Sequence, residues 1–158
     1  MLRIIKRLIK FFRPIYWPLV KVYFLYFSPE TRGTRVILTH EDKILFVKSS
    51  YGLKYTFPGG NLGKQEDAKH GATREIKEEL GIDVNQLNFL GTLVPPLEFE
   101  YRKNTISIFT AELLSKNIEI NNLEISDFKW LPINNPPSMG HTACEIFEFY
   151  KKRLYSPN

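Results

Sequence analysis

Cysteine and histidine are scarce in this chain. One cysteine, Cys144, among 158 residues leaves no intrachain disulfide to form. That excludes a disulfide-stapled scaffold and leads us to expect a reducing, cytoplasmic setting. With only three histidines beside it, a metal site must be built mostly from carboxylates and carbonyls, and a structural zinc finger is excluded. Internal repeats and low-complexity tracts are also missing. So is an uninterrupted run of ~20 apolar residues of the kind a membrane-spanning helix needs. The one candidate window is broken by Arg13, Pro14, Pro18 and Lys21. A cleaved secretory leader would end on small residues, and Phe27-Ser28-Pro29 offers no such site.

What is present is near the globular average, with 43% hydrophobic and 25% charged residues. Those proportions and this length suit one folded domain. The aromatic content is high, with twelve Phe and eight Tyr, as in strand-rich cores. A formal net charge of +5 would suggest a nucleic-acid partner if it were spread over the body. It is not: Arg3, Lys6, Arg7, Lys10 and Arg13 are unaccompanied by any acid, and the remaining residues carry 17 charges of each sign. A neutral body makes a poor groove for a phosphate backbone, so no nucleic-acid partner is expected.

In helical projection Leu2, Ile4, Ile5, Leu8, Ile9, Phe11 and Phe12 occupy one half and the five cations the other. The pattern predicts a basic amphipathic helix. Such a helix suits an anionic membrane interface, which would make the protein membrane-peripheral. Packing on the domain or on a second copy in a homodimer is the competing account, because the apolar stretch from Ile15 to Phe27 must be buried against something. The expected division is a helical extension over 1–30 and a folded domain over 31–158.

Beyond Thr31 the texture changes to short alternating runs. Strands are predicted over Thr34–Thr39, Ile44–Ser49, Lys54–Phe57, Asn88–Val94 and Asp127–Leu131. A second hairpin is predicted from Leu97–Tyr101 and Ser107–Ala111. Helices are predicted over Glu66–Leu80, stopped by Gly81, and over Thr142–Leu154. Strands flanking a central helix, with another helix at the end, give an α+β domain.

Glu75, Glu78 and Glu79 stand at i, i+3 and i+4 of the first helix and share one face. Like charges so spaced repel, and Arg74, four before Glu78, is the one cation at relieving distance. Ala72, Ile76 and Leu80 form the adjoining apolar stripe. Carboxylates pinned together and under-neutralised call for a hard divalent cation, and oxygen-only donors point to Mg2+ or Mn2+. Ahead of the helix, Gly59 and Gly60 permit a sharp turn and close backbone approach. A carbonyl there supplies one more oxygen. This is apparatus for attack of water at phosphorus.

Gly60, Glu66, Arg74, Glu75, Ile76, Glu78, Glu79, Gly81 and Ile82 stand at the spacing of the signature box of the Nudix hydrolases, and Tyr55-Thr-Phe-Pro-Gly59 looks like that family's lead-in. The likeness extends over about residues 32–153. The resemblance implies an α/β/α sandwich around a mixed sheet. It implies magnesium-dependent cleavage of a phosphoanhydride bond in a nucleoside diphosphate linked to another moiety. It further implies Glu78 and Glu79 as principal metal ligands, Glu75 as ligand or general base, Arg74 orienting Glu75, the Gly59 carbonyl as accessory ligand, and Glu66 bracing the loop. Many members take a further carboxylate from outside the box. Asn134–Thr142 has no acid, and Glu98, Glu100 and Glu112 are the candidates. Pro95 and Pro96, 13 and 14 residues beyond the box, stand near where ADP-ribose-cleaving members of that family carry a proline, and their simpler role as strand terminators is the favoured one; ADP-ribose or a nucleotide sugar is the substrate toward which the resemblance leans. The alternative to a hydrolase is a catalytically silent module that binds a nucleotide-type ligand or a protein partner.

Overall fold

The computed structural model describes residues 30–96 and 103–155. The predicted N-terminal helix, the strand at 97–101 and the acids Glu98 and Glu100 lie outside the described residues. In order, the elements are β1 (Thr31–His40), β2 (Lys43–Ser49), β3 (Tyr55–Thr56), α1 (Ala68–Leu80), β4 (Asn88–Leu93), β5 (Asn104–Glu112), β6 (Ile125–Pro132) and α2 (His141–Tyr155).

Val36, Ile37 and Leu38 on β1 and Ile44 to Val47 on β2 are all buried, so both faces of these strands must be covered. They are. Val36, Leu38, Leu45 and Val47 pack with Ala72, Ile76 and Leu80 of α1. Ile37, Ile44 and Phe46 pack with Ala143, Ile146, Phe147 and Tyr150 of α2. The result is a mixed sheet with one helix on each face, an α+β fold. Burying Ile76 and Leu80 contributes about 1.5–3 kcal/mol each, which anchors the carboxylate helix to the sheet.

The sheet runs β3-β2-β1-β5-β4, with β6 on the other edge of β2. The predicted β1–β2 hairpin closes at His40↔Lys43. The second hairpin departs from expectation. β5 pairs antiparallel with β4 from Asn88↔Thr110 to Leu93↔Ile106. It also runs parallel to β1 over nine consecutive pairs, Thr31↔Asn104 to Thr39↔Glu112. A parallel neighbour so far away in sequence has no local turn to announce it.

α1 starts two residues later than predicted. Asp67 is its N-cap, with Oδ1 accepting from the N–H groups of Lys69 and His70 at 3.0 Å, which satisfies two orphan donors. Glu66 therefore stands outside the helix. At the other end Gly81 takes φ 68 and its N–H donates to the Lys77 carbonyl, as a left-handed cap requires. No helix among the described residues is long and apolar enough to cross a membrane.

Candidate active site

β2 pairs with β1 only at the hairpin end, so the first half of β1 has an edge to fill. The glycine turn fills it. Thr34 N–H donates to the Gly60 carbonyl and Val36 N–H to the Pro58 carbonyl, both at 2.9 Å, and Leu62 N–H donates to the Arg32 carbonyl. The turn is thus laid along a core strand like a short extra strand. Gly59 adopts φ +130, and a Cβ there would lie 2.3 Å from the Thr34 carbonyl oxygen. Only glycine fits.

Arg74 organises the carboxylates around this turn. Its Nε donates to Glu66 Oε1 at 2.9 Å and its Nη2 to Glu66 Oε2 at 3.2 Å, a two-point fork. Its Nη1 donates to Glu75 Oε1 at 2.8 Å and to Glu78 Oε2 at 3.3 Å. Glu66 Oε2 also accepts from Gly63 N–H at 2.8 Å, so Glu66 ties the loop to the helix. Hydrogen bonds from Arg74, then from Gly63, hold the Glu66 carboxyl down at about 2. Hydrogen bonds to Glu66, and then to Glu75, hold the Arg74 guanidinium above its ordinary value against the effect of burial. Arg74 thus meets Glu75 and Glu66 as well as Glu78, more neutralisation than helix spacing alone foretells.

Glu75 packs directly on the second glycine. A Cβ at Gly60 would lie 2.4 Å from the Glu75 carboxyl carbon and 2.5 Å from both its oxygens. Gly60→Ala must therefore push Glu75 aside. If Glu75 serves catalysis, the variant keeps its fold but loses at least ~10-fold in kcat, the scale expected of a misplaced reacting group. Melting temperature and steady-state kinetics on the same preparation check this. Unchanged kcat in the folded variant would remove Glu75 from the chemistry.

Glu79 is treated differently. Its Oε2 accepts from Gly59 N–H at 2.9 Å. Removal from water is the largest influence on it, with the charges of Glu75 and Glu124 adding to the effect. The Gly59 hydrogen bond and the Arg35 charge oppose this, and the carboxyl is pushed up to about 7. Glu124 comes from outside the box. The 119–121 segment caps the end of α1, with Asn121 N–H donating to the Glu79 carbonyl at 2.8 Å and Glu119 N–H to the Leu80 carbonyl at 2.9 Å. That docking carries Glu124 in with it. Neither Arg35 nor Glu124 could be picked from the sequence, because each reaches Glu79 only through strand pairing or capping. Arg35 lies within β1 and Glu124 immediately before β6, positions that carry no local signal pointing to Glu79.

Among the described residues no three acidic, histidine or cysteine side chains converge on a common point close enough to enclose a cation in this arrangement. The donor chemistry nevertheless suits a hard one. The carboxylates gathered at the turn present oxygen alone, and Glu79 is short of compensating positive charge. The turn backbone, Glu75 and Glu79 are in contact across Gly59 and Gly60.

The candidate Glu112 and the other polar and reactive side chains fall elsewhere. Glu112, exposed at the end of β5, lines a cleft with Asp83, Asn85 and Asn117. Tyr55 O–H donates to Asp127, and Lys129 lies over its ring. Lys54 donates to Ser138, and Lys103 pairs with Glu30. His70 is on the surface. His141 lies 4.0 Å from Glu145, and Cys144 is exposed. Pro95 and Pro96 follow the end of β4 at Leu93, as strand terminators do.

The NUDIX domain family model matches residues 29–147. An 8-oxo-dGTP diphosphatase of Proteus vulgaris is 40% identical over 63 residues, a match covering 40% of this chain and 54% of that relative. An RNA pyrophosphohydrolase of Hydrogenovibrio crunogenus is 21% identical over 77% of this chain and 89% of its own length. The crystal structure of a MutT protein from Methanosarcina mazei superposes with a TM-score of 0.71 at 18% identity, covering 82% of this chain and 98% of that one. At that identity the likeness is one of fold.

Proposed function

The chain belongs to the Nudix domain family, and on that premise we propose that it is a pyrophosphohydrolase that cleaves a phosphoanhydride bond in a nucleoside diphosphate linked to another moiety. The observation that carries this reading is the contact of one glycine turn with two carboxylates of one helix, Glu75 against Gly60 and Glu79 on the Gly59 N–H. The catalytic unit is residues 31–158, with residues 1–30 as an extension.

Glu75, Glu78, Glu79 and the Gly59 carbonyl would hold Mg2+ or Mn2+, which supplies neutralisation of phosphate oxygens and a more acidic water. The protein groups do the rest. Arg74 fixes the Glu75 carboxylate by a charge-assisted hydrogen bond, and Glu75 accepts a proton from the attacking water. The water oxygen bonds to phosphorus as the bridging anhydride oxygen departs with its electron pair, giving two phosphate products. Arg35 supports the ionised form of Glu79. Glu66 keeps the loop and Arg74 in register.

The named relatives act on a modified nucleoside triphosphate and on RNA, while the family resemblance leans toward ADP-ribose or a nucleotide sugar. All of these share the anhydride, and the attached group distinguishes them. The test is hydrolysis of ADP-ribose, nucleotide sugars, dinucleoside polyphosphates, 8-oxo-dGTP and 5′-triphosphorylated RNA, with Mg2+ and with chelator. Turnover is expected to require metal and to fall at least ~100-fold in Glu78→Gln, the scale of losing one preorganised electrostatic group. Turnover indifferent to both would overturn the mechanism. Silence on every substrate from folded, metal-binding protein would favour the binding module.

A further inference from the structure

We propose that Asn121 is a positioning residue of the carboxylate site: by closing the turn that follows it, it holds Glu124 near Glu79 and so sets the affinity for a divalent cation. The inference rests on reading that site as a metal site. Four hydrogen bonds meet at this one residue. Its N–H donates to the Glu79 carbonyl at 2.8 Å. Its carbonyl accepts from the N–H groups of Glu124 at 2.8 Å and Ile125 at 2.9 Å. Its side-chain Oδ1 accepts from Leu123 N–H at 3.1 Å, the bond of an Asx turn. The backbones of the two acids are therefore joined through a single residue.

The segment is anchored on either side of this turn. Ile120 and Ile125 pack in the core cluster that holds Ile76 and Leu80 of α1. Glu119 lies over the left-handed end of the helix, where a Cβ at Gly81 would come within 3.2 Å of the Glu119 carbonyl oxygen. Ser50 N–H, just past the end of β2, donates to the Glu124 carbonyl at 2.7 Å. Two carboxylates drawn together repel, and the charge of Glu124 does act on Glu79. The turn opposes that repulsion in the free chain. A hard divalent cation converts it into shared attraction.

Backbone and side chain of Asn121 do separable work. The N–H that caps Glu79 is a main-chain group, present in every residue but proline. The acceptor for Leu123 N–H belongs to the side chain. Replacing the side chain therefore loosens Glu124 and leaves the end of α1 capped. Serine offers a hydroxyl oxygen to the same N–H, and alanine offers nothing.

The test is calorimetric titration of the full chain with Mn2+, with circular dichroism melts on the same preparations. Asn121→Ala is expected to weaken Mn2+ binding about tenfold, the scale of losing a group that supports a metal ligand. Asn121→Ser should recover most of that loss. Glu124→Gln should also cost about tenfold. The double variant Asn121→Ala, Glu124→Gln should bind no more weakly than Glu124→Gln alone, because both changes act on one contact. If Asn121→Ala fails to fold, Asn121→Gln replaces it in the cycle, since its longer amide stays polar but is displaced from Leu123 N–H. Three results overturn the proposal: wild-type Mn2+ affinity in the folded variant, serine no better than alanine, or losses that multiply in the double variant. A lowered melting temperature with unchanged Mn2+ affinity is the first of these and marks a purely structural residue. Mn2+ binding needs no turnover. A chain that binds the ion as described yet cleaves no substrate defeats the hydrolase reading and leaves the role of Asn121 standing, whereas a wild-type chain that binds no Mn2+ defeats both.

Discussion

Glu79→Gln is expected to abolish hydrolysis, by ~1,000-fold or more, while making the metal-free protein more stable at pH 8. The two effects have one cause. Burial, with Glu75 and Glu124 adding to it, pushes the Glu79 carboxyl up to about 7 from its ordinary 4.5. Below pH 4.5 the carboxyl is protonated in folded and unfolded chains alike and contributes no difference. Between about 4.5 and 7 the folded chain keeps a proton that the unfolded chain has released, so stability falls as pH rises, and above 7 the loss is complete. At ~1.4 kcal/mol per pKa unit the full loss is of order 3 kcal/mol. Glutamine removes the charge and retains an oxygen for the Gly59 N–H. The variant should therefore match the wild type near pH 4.5 and exceed it progressively up to pH 8. Adding Mg2+ should stabilise the wild type and leave the variant unmoved. Denaturant titrations at several pH values, with and without metal, measure both. A variant less stable than wild type at pH 8 without metal would mean that Arg35 already compensates the charge.

Gly59→Ala is the change expected to damage the fold itself. The new Cβ would meet backbone, at 2.3 Å from the Thr34 carbonyl oxygen and 3.1 Å from Arg35 Cα, with φ at +130. Neither neighbour can rotate away, because β1 is held along its whole length by β5. The turn must lift off β1, losing the bonds to Thr34 and Val36, at a cost of about 2–4 kcal/mol. Circular dichroism melts should show the drop, and metal binding should weaken with it because Gly59 N–H no longer positions Glu79. Gly60→Ala, which meets a side chain, should separate from it by keeping stability. Equal melting temperatures for Gly59→Ala and wild type would refute the strained-turn account.

The helix, its carboxylate face and its apolar stripe were legible because they repeat every three to four residues, and Gly81 marked the end. The start lies two residues later than helical composition predicts. Glu66 has helical composition, yet its carboxylate is committed to Gly63 and Arg74, while Asp67 takes the cap. The strands were legible from their β-branched and aromatic runs, but their partners were not. The local pattern predicts β5 as one arm of a hairpin, whereas its longest pairing is with β1, over seventy residues away.

The residues of this chain on their own established an α+β domain, a family signature and a glycine turn followed by three acids on one helical face. Those properties are local, set by spacing and by conformations that few residue types tolerate. How the three acids differ was decided by the folded arrangement. Glu75 and Glu78 lie within reach of Arg74. Glu79 is driven into the junction of the Gly59 turn, Arg35 and Glu124. Charge and desolvation act through space, so three identical side chains acquire distinct properties only once β1 and the 119–124 segment have been folded against the helix.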